Sequence, residues 1–187
     1  MKDKITTLLK STNRLGIDRL LEYIEKEGYF TVPASTKYHG CYEGGLAKHS
    51  FGVYVLLRSF NELFKFGVPE DSIILSTLLH DLCKMGAYLG DSKPYKWNRA
   101  QPKGHADLSL TRIGYHITLT PLEAEMVKYH MGPWNAHGPK AEYQGGKDML
   151  VAWGKNPIVK WMYFSDEMAT AEEKVEESEW EIKKELK

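Results

Sequence analysis

His80 and Asp81 stand side by side in the apolar helical run Leu78-Leu79-His80-Asp81-Leu82-Cys83-Lys84. A carboxylate in such surroundings needs a compensating charge, because burying it alone is very costly. A divalent cation is one such charge. Imidazole nitrogen and carboxylate oxygen are suitable donors for manganese, iron, cobalt, nickel or zinc. Three further histidines, His49, His105 and His130, fall on inward helix faces or at helix starts, and Asp166 lies on the inner line of a late helix. Six such groups on five segments can surround one ion or a close pair. Asp81 is the natural bridge, since its two oxygens can serve two ions.

A blander account competes residue by residue. A lone histidine on an apolar face is more often a core residue with one hydrogen bond, and a lone aspartate is often a helix cap. Asp166 resists that account because it falls mid-helix with no capping context. The recurrence of histidines at inward positions favours metal over core.

The elements that must position these groups are helical. Ile17, Leu20, Leu21 and Ile24 mark an amphipathic stretch that Gly28 ends. A long helix starts near Leu46 and carries Val53, Leu56, Leu57, Phe60, Leu63 and Phe64, with His49 on the same stripe. After Gly67-Val68-Pro69, a helix is expected from Ser72 to Met85. Further helices are expected over His105 to His116 and from Pro121, which carries Leu122, Met126 and His130. From Ile158 a last helix lines up Met162 and Asp166. Residues 86–104 and 132–157 read as long irregular stretches, and such loops in a compact domain are usually functional or mobile. Tyr29-Phe30-Thr31-Val32 is the one short strand candidate. The fold class is therefore all-α. Beyond Ala171 a charged helical tail continues with a thin seam of Val175, Ile182 and Leu186. That seam packs on the body or on another subunit, so homo-oligomerisation through this helix stays open.

The bulk numbers restrict the class. A chain of 187 residues suits one domain and is long enough to bury a core. With 42% hydrophobic and 27% charged residues it reads as an ordinary globular protein. The zero formal net charge argues against a wholly basic nucleic-acid coat protein. Cys41 and Cys83 are too few for a disulfide framework and fit a reducing cytoplasm. No apolar run approaches the roughly 20 residues needed to span a bilayer, and Met1-Lys2-Asp3-Lys4 leads into no signal-peptide core. A cytoplasmic protein with no membrane partner is expected.

The ordered set His49, His80-Asp81 and Asp166 resembles the HD-domain superfamily of metal-dependent phosphohydrolases. The segment from His39 through Gly44-Gly45 to His49 resembles the first-ligand region of a subgroup that includes HD-domain 3′–5′ exoribonucleases and some phage- or plasmid-associated proteins. His80 to Lys84 matches the family's HDxxK form. Gly104-His105 and Tyr129-His130-Met131-Gly132 resemble the two extra histidines of dinuclear members. The resemblance covers roughly residues 35 to 170. It implies an all-helical HD-type bundle with long loops around a central metal site. The whole chain, 1–187, would form one domain, with helices over 1–28 and a tail over 171–187 as extensions. It also implies that His49, His80, Asp81 and Asp166 hold one ion, and that Asp81 bridges to a second ion held by His105 and His130. Asp81 and Lys84 would then serve catalysis, with Lys84 facing the substrate phosphate.

Metal ions lower the pKa of bound water toward about 7, so the expected reaction is phosphoester hydrolysis by a metal-activated hydroxide. The expected partner is a phosphorylated small molecule or a nucleic-acid end. Residues 86–104 bring Tyr88, Lys93, Tyr95, Lys96, Trp97, Arg99 and Lys103 against Asp91 alone. Residues 132–157 bring Trp134, His137, Lys140, Tyr143, Lys147 and Trp153. Cations attract phosphate and aromatic faces stack on bases, so Lys96, Trp97 and Arg99 join His39 and Lys84 as candidate substrate contacts. Equally, the aromatics could anchor loops and the lysines could be merely solvated. His116 reads as structural, and His137 carries no assigned role. Two other functions share the same donor set: an HD-fold diiron oxygenase, and a non-catalytic, metal-stabilised nucleotide-binding module.

Overall fold

The computed structural model describes residues 1–90, 93–102, 104–133 and 144–185; at 144, 145 and 172–185 it describes the backbone alone. Eight α-helices dominate these residues: α1 (Lys2–Ser11), α2 (Ile17–Lys26), α3 (Gly45–Phe64), α4 (Glu70–Leu79), α5 (His105–Gly114), α6 (Pro121–Tyr129), α7 (Gln144–Lys155) and α8 (Pro157–Glu185). The all-α expectation holds. Strands β1 (Tyr88–Leu89) and β2 (Lys96–Trp97) form a small antiparallel hairpin.

α4 is the centre. Every residue from Ser72 to Leu79 is buried, as suits a helix that is apolar on all faces. α3 packs on α4 and α8, α6 packs on the same two helices, and α1 lies on α4. Two buried hydroxyls of α4 are satisfied inside the helix. Ser76 Oγ donates to Ser72 O at 2.6 Å and Thr77 Oγ1 to Ile73 O at 2.7 Å.

Glu123 ties three segments to this core. Its carboxylate accepts from Arg14 Nη2 at 2.7 Å, Ser72 Oγ at 2.8 Å and Thr120 N at 2.7 Å. With the Thr120 hydroxyl it closes a capping box on α6. Burial alone would raise the Glu123 pKa; the Arg14, Thr120 and Ser72 donors outweigh it and hold the pKa below the usual value.

Several sequence expectations are corrected. The helix expected over Ser72–Met85 stops at Leu79, and a short 3₁₀ turn, Leu82–Lys84, follows. Tyr29 to Val32 forms turns, and the strands lie within residues 86–104 instead. Within 132–157, residues Gln144–Lys155 are helical, with Met149 and Ala152 buried. The backbone of α8 runs through to Glu185. Leu186 and the side chains of Val175 and Ile182 lie outside the described residues. Among the described residues no helix is long and apolar enough to cross a membrane.

Candidate metal centre

The break after Leu79 creates the site. A helix end leaves carbonyls without partners, and here two side chains take them. Tyr29 Oη donates to Leu78 O at 2.7 Å, and His80 Nδ1 lies 2.7 Å from Thr77 O. The turn beyond is held from α5 and the following loop. Arg112 Nη1 donates to Leu82 O and to Met85 O at 2.7 Å. Cys83 N donates to Ser109 Oγ at 3.0 Å, and Gln101 Nε2 donates to Cys83 O. These contacts turn Asp81 off the helix and into the core, where its side chain is 2% exposed.

Five elements converge on that carboxylate. His49 comes from α3, His80 caps the end of α4, His105 opens α5, His130 caps the end of α6, and Asp166 lies in α8. Oδ2 of Asp81 faces His80 Nε2 at 3.4 Å and His49 Nε2 at 3.9 Å. Oδ1 faces His105 Nε2 at 2.7 Å and His130 Nε2 at 3.6 Å. Asp166 Oδ1 closes the first side, 2.9 Å from His49 Nε2 and 3.8 Å from His80 Nε2. Three overlapping sets of donor atoms result: His49–His80–Asp81, His80–His130–Asp166 and Asp81–His105–His130. Within each set the atoms lie within 4.8 Å of one another. All six residues expected as ligands thus meet in one place.

Tautomers test whether this donor set suits a cation. His80 Nδ1 is 2.7 Å from Thr77 O and His130 Nδ1 is 2.6 Å from Val127 O. A carbonyl only accepts, so in each ring Nδ1 carries the hydrogen and, in the neutral imidazole, Nε2 carries a lone pair. Both Nε2 atoms are buried with no hydrogen-bond partner among the described residues. Two buried lone pairs aimed at two carboxylates suit a metal, and the backbone contacts are the outer support that metal-binding histidines use. His105 differs: its Nδ1 lies 3.1 Å from Cys83 Sγ.

Lys84 supplies part of the charge compensation that Asp81 needs. Its Nζ is 2.6 Å from Asp81 Oδ2, so the buried acid has a cationic partner within the chain. Burial opposes the charge on each. Lys84, His80 and His105 nevertheless hold the Asp81 pKa well below the usual range, and Asp81 holds that of Lys84 above its usual value. For His105, burial is likewise outweighed by Asp81 and Cys83, and its pKa rises to about 9. For Asp166, contacts with His49, His80 and His130 overcome burial and lower the pKa.

No family model matches the chain, and no solved structure matches it. One curated relative is the 3′–5′ exoribonuclease YhaM of Oceanobacillus iheyensis, 25% identical over 154 residues. The match takes in 81% of this chain and 48% of the relative. The chain therefore spans about half the length of that protein.

The candidate substrate residues fare unevenly. His39 lies beside His49, ring centroids 4.8 Å apart, with a buried Nε2 that finds no hydrogen-bond partner among the described residues. Burial, then Lys84 and His49, push its pKa down to about 3, so the ring is neutral. Lys84 and Trp97 line one cavity of about 260 Å³ together with His105. Lys96 precedes Trp97 on β2, and neighbouring strand residues point to opposite faces; neither Lys96 nor Arg99 lines that cavity. Trp153 stacks on Tyr163 at 5.9 Å and joins α7 to α8, the anchoring role. His116 stacks on Tyr23 at 4.5 Å, the structural role expected of it. Asp91, Lys103, Trp134, His137, Lys140 and Tyr143 lie outside the described residues. Sequence reasoning missed Tyr29, Cys83, Gln101 and Arg112 as supports of the site. Only Cys83, next to the His-Asp pair, gave a local signal.

Proposed function

We propose that this chain is an HD-type, divalent-metal-dependent phosphohydrolase that acts on a nucleotide or nucleic-acid phosphoester. The observation that carries this reading is the division of Asp81. One oxygen faces His49 and His80 with Asp166 behind them; the other faces His105 and His130. His49, His80, Asp81 and Asp166 would hold one ion, and Asp81, His105 and His130 a second. Such ions supply Lewis acidity toward phosphoryl oxygens and a water whose pKa falls toward about 7.

The remaining steps belong to the chain. Lys84 is 11% exposed and cationic at neutral pH, so it attracts a phosphoryl oxygen and stabilises the charge that grows there. His39 offers a neutral imidazole beside His49 for a hydrogen bond to the same anion. The surrounding core, with His49, His80 and His130 fully buried, keeps bulk water from the donors. The name of the exoribonuclease relative adds support for a nucleic-acid substrate. A cation as close as Lys84 favours phosphate over oxygen chemistry.

The test is a phosphoester panel of mononucleotides, cyclic nucleotides and oligonucleotides, run with manganese, cobalt, nickel or iron. Turnover that disappears in Asp81→Ala supports the reading. No product from any substrate, or equal turnover by Asp81→Ala, would sink it. Iron-dependent oxygen uptake in the same preparations would instead identify an oxygenase.

A further inference from the structure

The cavity beside the metal centre combines two kinds of lining. Lys84 and His105 come from the centre itself, while Tyr88, Trp97 and Leu108 are aromatic or apolar. Trp97 is 54% exposed. A large ring left half in water forgoes much of the burial that tryptophan usually gains. It is nonetheless held firmly. Tyr88 is its cross-strand partner, with ring centroids 5.7 Å apart at 72°. Tyr88 Oη donates to Ala34 O at 3.0 Å. The next residue, Asn98, donates from its backbone to Ala87 O at 2.8 Å and from Nδ2 to Gly86 O at 2.9 Å. The hairpin therefore presents a fixed, exposed indole in a cavity that Lys84 also lines.

We propose that this cavity is a nucleobase subsite, in which Trp97 stacks on the base of the nucleotide whose phosphate Lys84 receives. The inference rests on the phosphohydrolase reading for the phosphate and adds the base. A volume of about 260 Å³ lies just under the roughly 300–1,000 Å³ of small-ligand pockets. It suits a single base and excludes a duplex. The subsite is also tolerant of base identity. Stacking needs only a π face, which every base has. Gln101, which also lines the cavity, gives one amide N–H to Cys83 O; its second N–H and Oε1 suit a donor–acceptor edge, which every base also has.

The experiment is equilibrium binding of AMP, UMP and ribose 5-phosphate to the full chain, kept in chelator so that nothing turns over. Wild type should bind both nucleotides about 10-fold or more tighter than ribose 5-phosphate, the size of one base–aromatic stack. Trp97→Ala should bring all three to the level of ribose 5-phosphate, and Trp97→Phe should restore most of the difference. Because Trp97 is largely exposed, a thermal melt should show both variants folded. Equal affinity for AMP and ribose 5-phosphate, or an unchanged AMP affinity in Trp97→Ala, overturns the subsite. The two readings fail separately. Turnover of phosphoesters irrespective of a base removes the subsite and leaves the hydrolase. Trp97-dependent AMP binding without turnover on any metal removes the hydrolase and leaves the subsite.

Discussion

Lys84 Nζ lies 2.6 Å from Asp81 Oδ2, the same oxygen that faces His49 and His80. One carboxylate oxygen thus serves an internal cation and a candidate metal position. Removing the ammonium should separate its two roles. Lys84→Met should lower turnover on phosphoesters by about 10²-fold or more, the usual cost of losing one charge-stabilising donor. It should also destabilise the metal-free protein by up to about 3 kcal/mol, because Asp81 loses its closest buried partner. Added manganese should recover most of that stability. Thermal melts with and without the ion, beside initial rates, check both parts. Unchanged stability together with unchanged rates would contradict the assigned roles.

The three histidines nearest Asp81 are held unequally. His80 and His130 rest on backbone carbonyls at 2.7 and 2.6 Å, while His105 rests on the Cys83 thiol at 3.1 Å. Cys83→Ala should therefore weaken the ion on the His105–His130 side by about 10- to 100-fold, the usual effect of losing such a support. The ion on the His49–Asp166 side should be unaffected, and Cys83→Ser should sit between. Calorimetric titration with manganese resolves the two steps. Equal weakening of both, or of neither, would count against the asymmetry.

Glu123 gives a pH prediction away from the metal centre. Its folded pKa lies below the ordinary carboxylate value because Arg14, Thr120 and Ser72 favour the charged form over the cost of burial. The folded state then binds its proton less readily than the unfolded state, so the stabilisation is fully present above the unfolded pKa, about 4.3. It is lost as pH falls through the folded value. Glu123→Gln should cost about 2–3 kcal/mol at neutral pH, typical of hydrogen bonds to a charged group. It should also flatten the decline in melting temperature below about pH 4.5. Parallel melts of wild type and variant from pH 3 to 7 test this. A variant that declines as steeply as wild type would reassign the acid sensitivity to other carboxylates.

The donors of the centre were legible in the sequence because their residue types are chemically distinctive and helical periodicity placed them inward. His49 on the stripe of α3 and Asp166 in line with Ile158 and Met162 are examples. The backbone that aims them was not legible. No glycine or proline marks the end of α4; Tyr29, 49 residues away in sequence, takes the Leu78 carbonyl there. Periodicity over Ser72–Met85 accordingly ran past the break that turns Asp81 inward. The glycines before His49 answer to a close backbone approach that periodicity does not reveal. A Cβ on Gly45 would lie 1.9 Å from Gly40 O, so only glycine allows that approach at the start of α3. The different placing of Lys96 and Trp97 has a related cause. Composition placed both in one loop, but the hairpin turns them to opposite faces.

The most direct measurement is the number of manganese ions bound per chain, by calorimetry and elemental analysis, in wild type and in Asp81→Ala. The account predicts two ions for wild type and loss of tight binding of both in the variant, since one carboxylate faces both sets of histidines. An Asp81→Ala protein that is folded and binds manganese with wild-type number and affinity would contradict it.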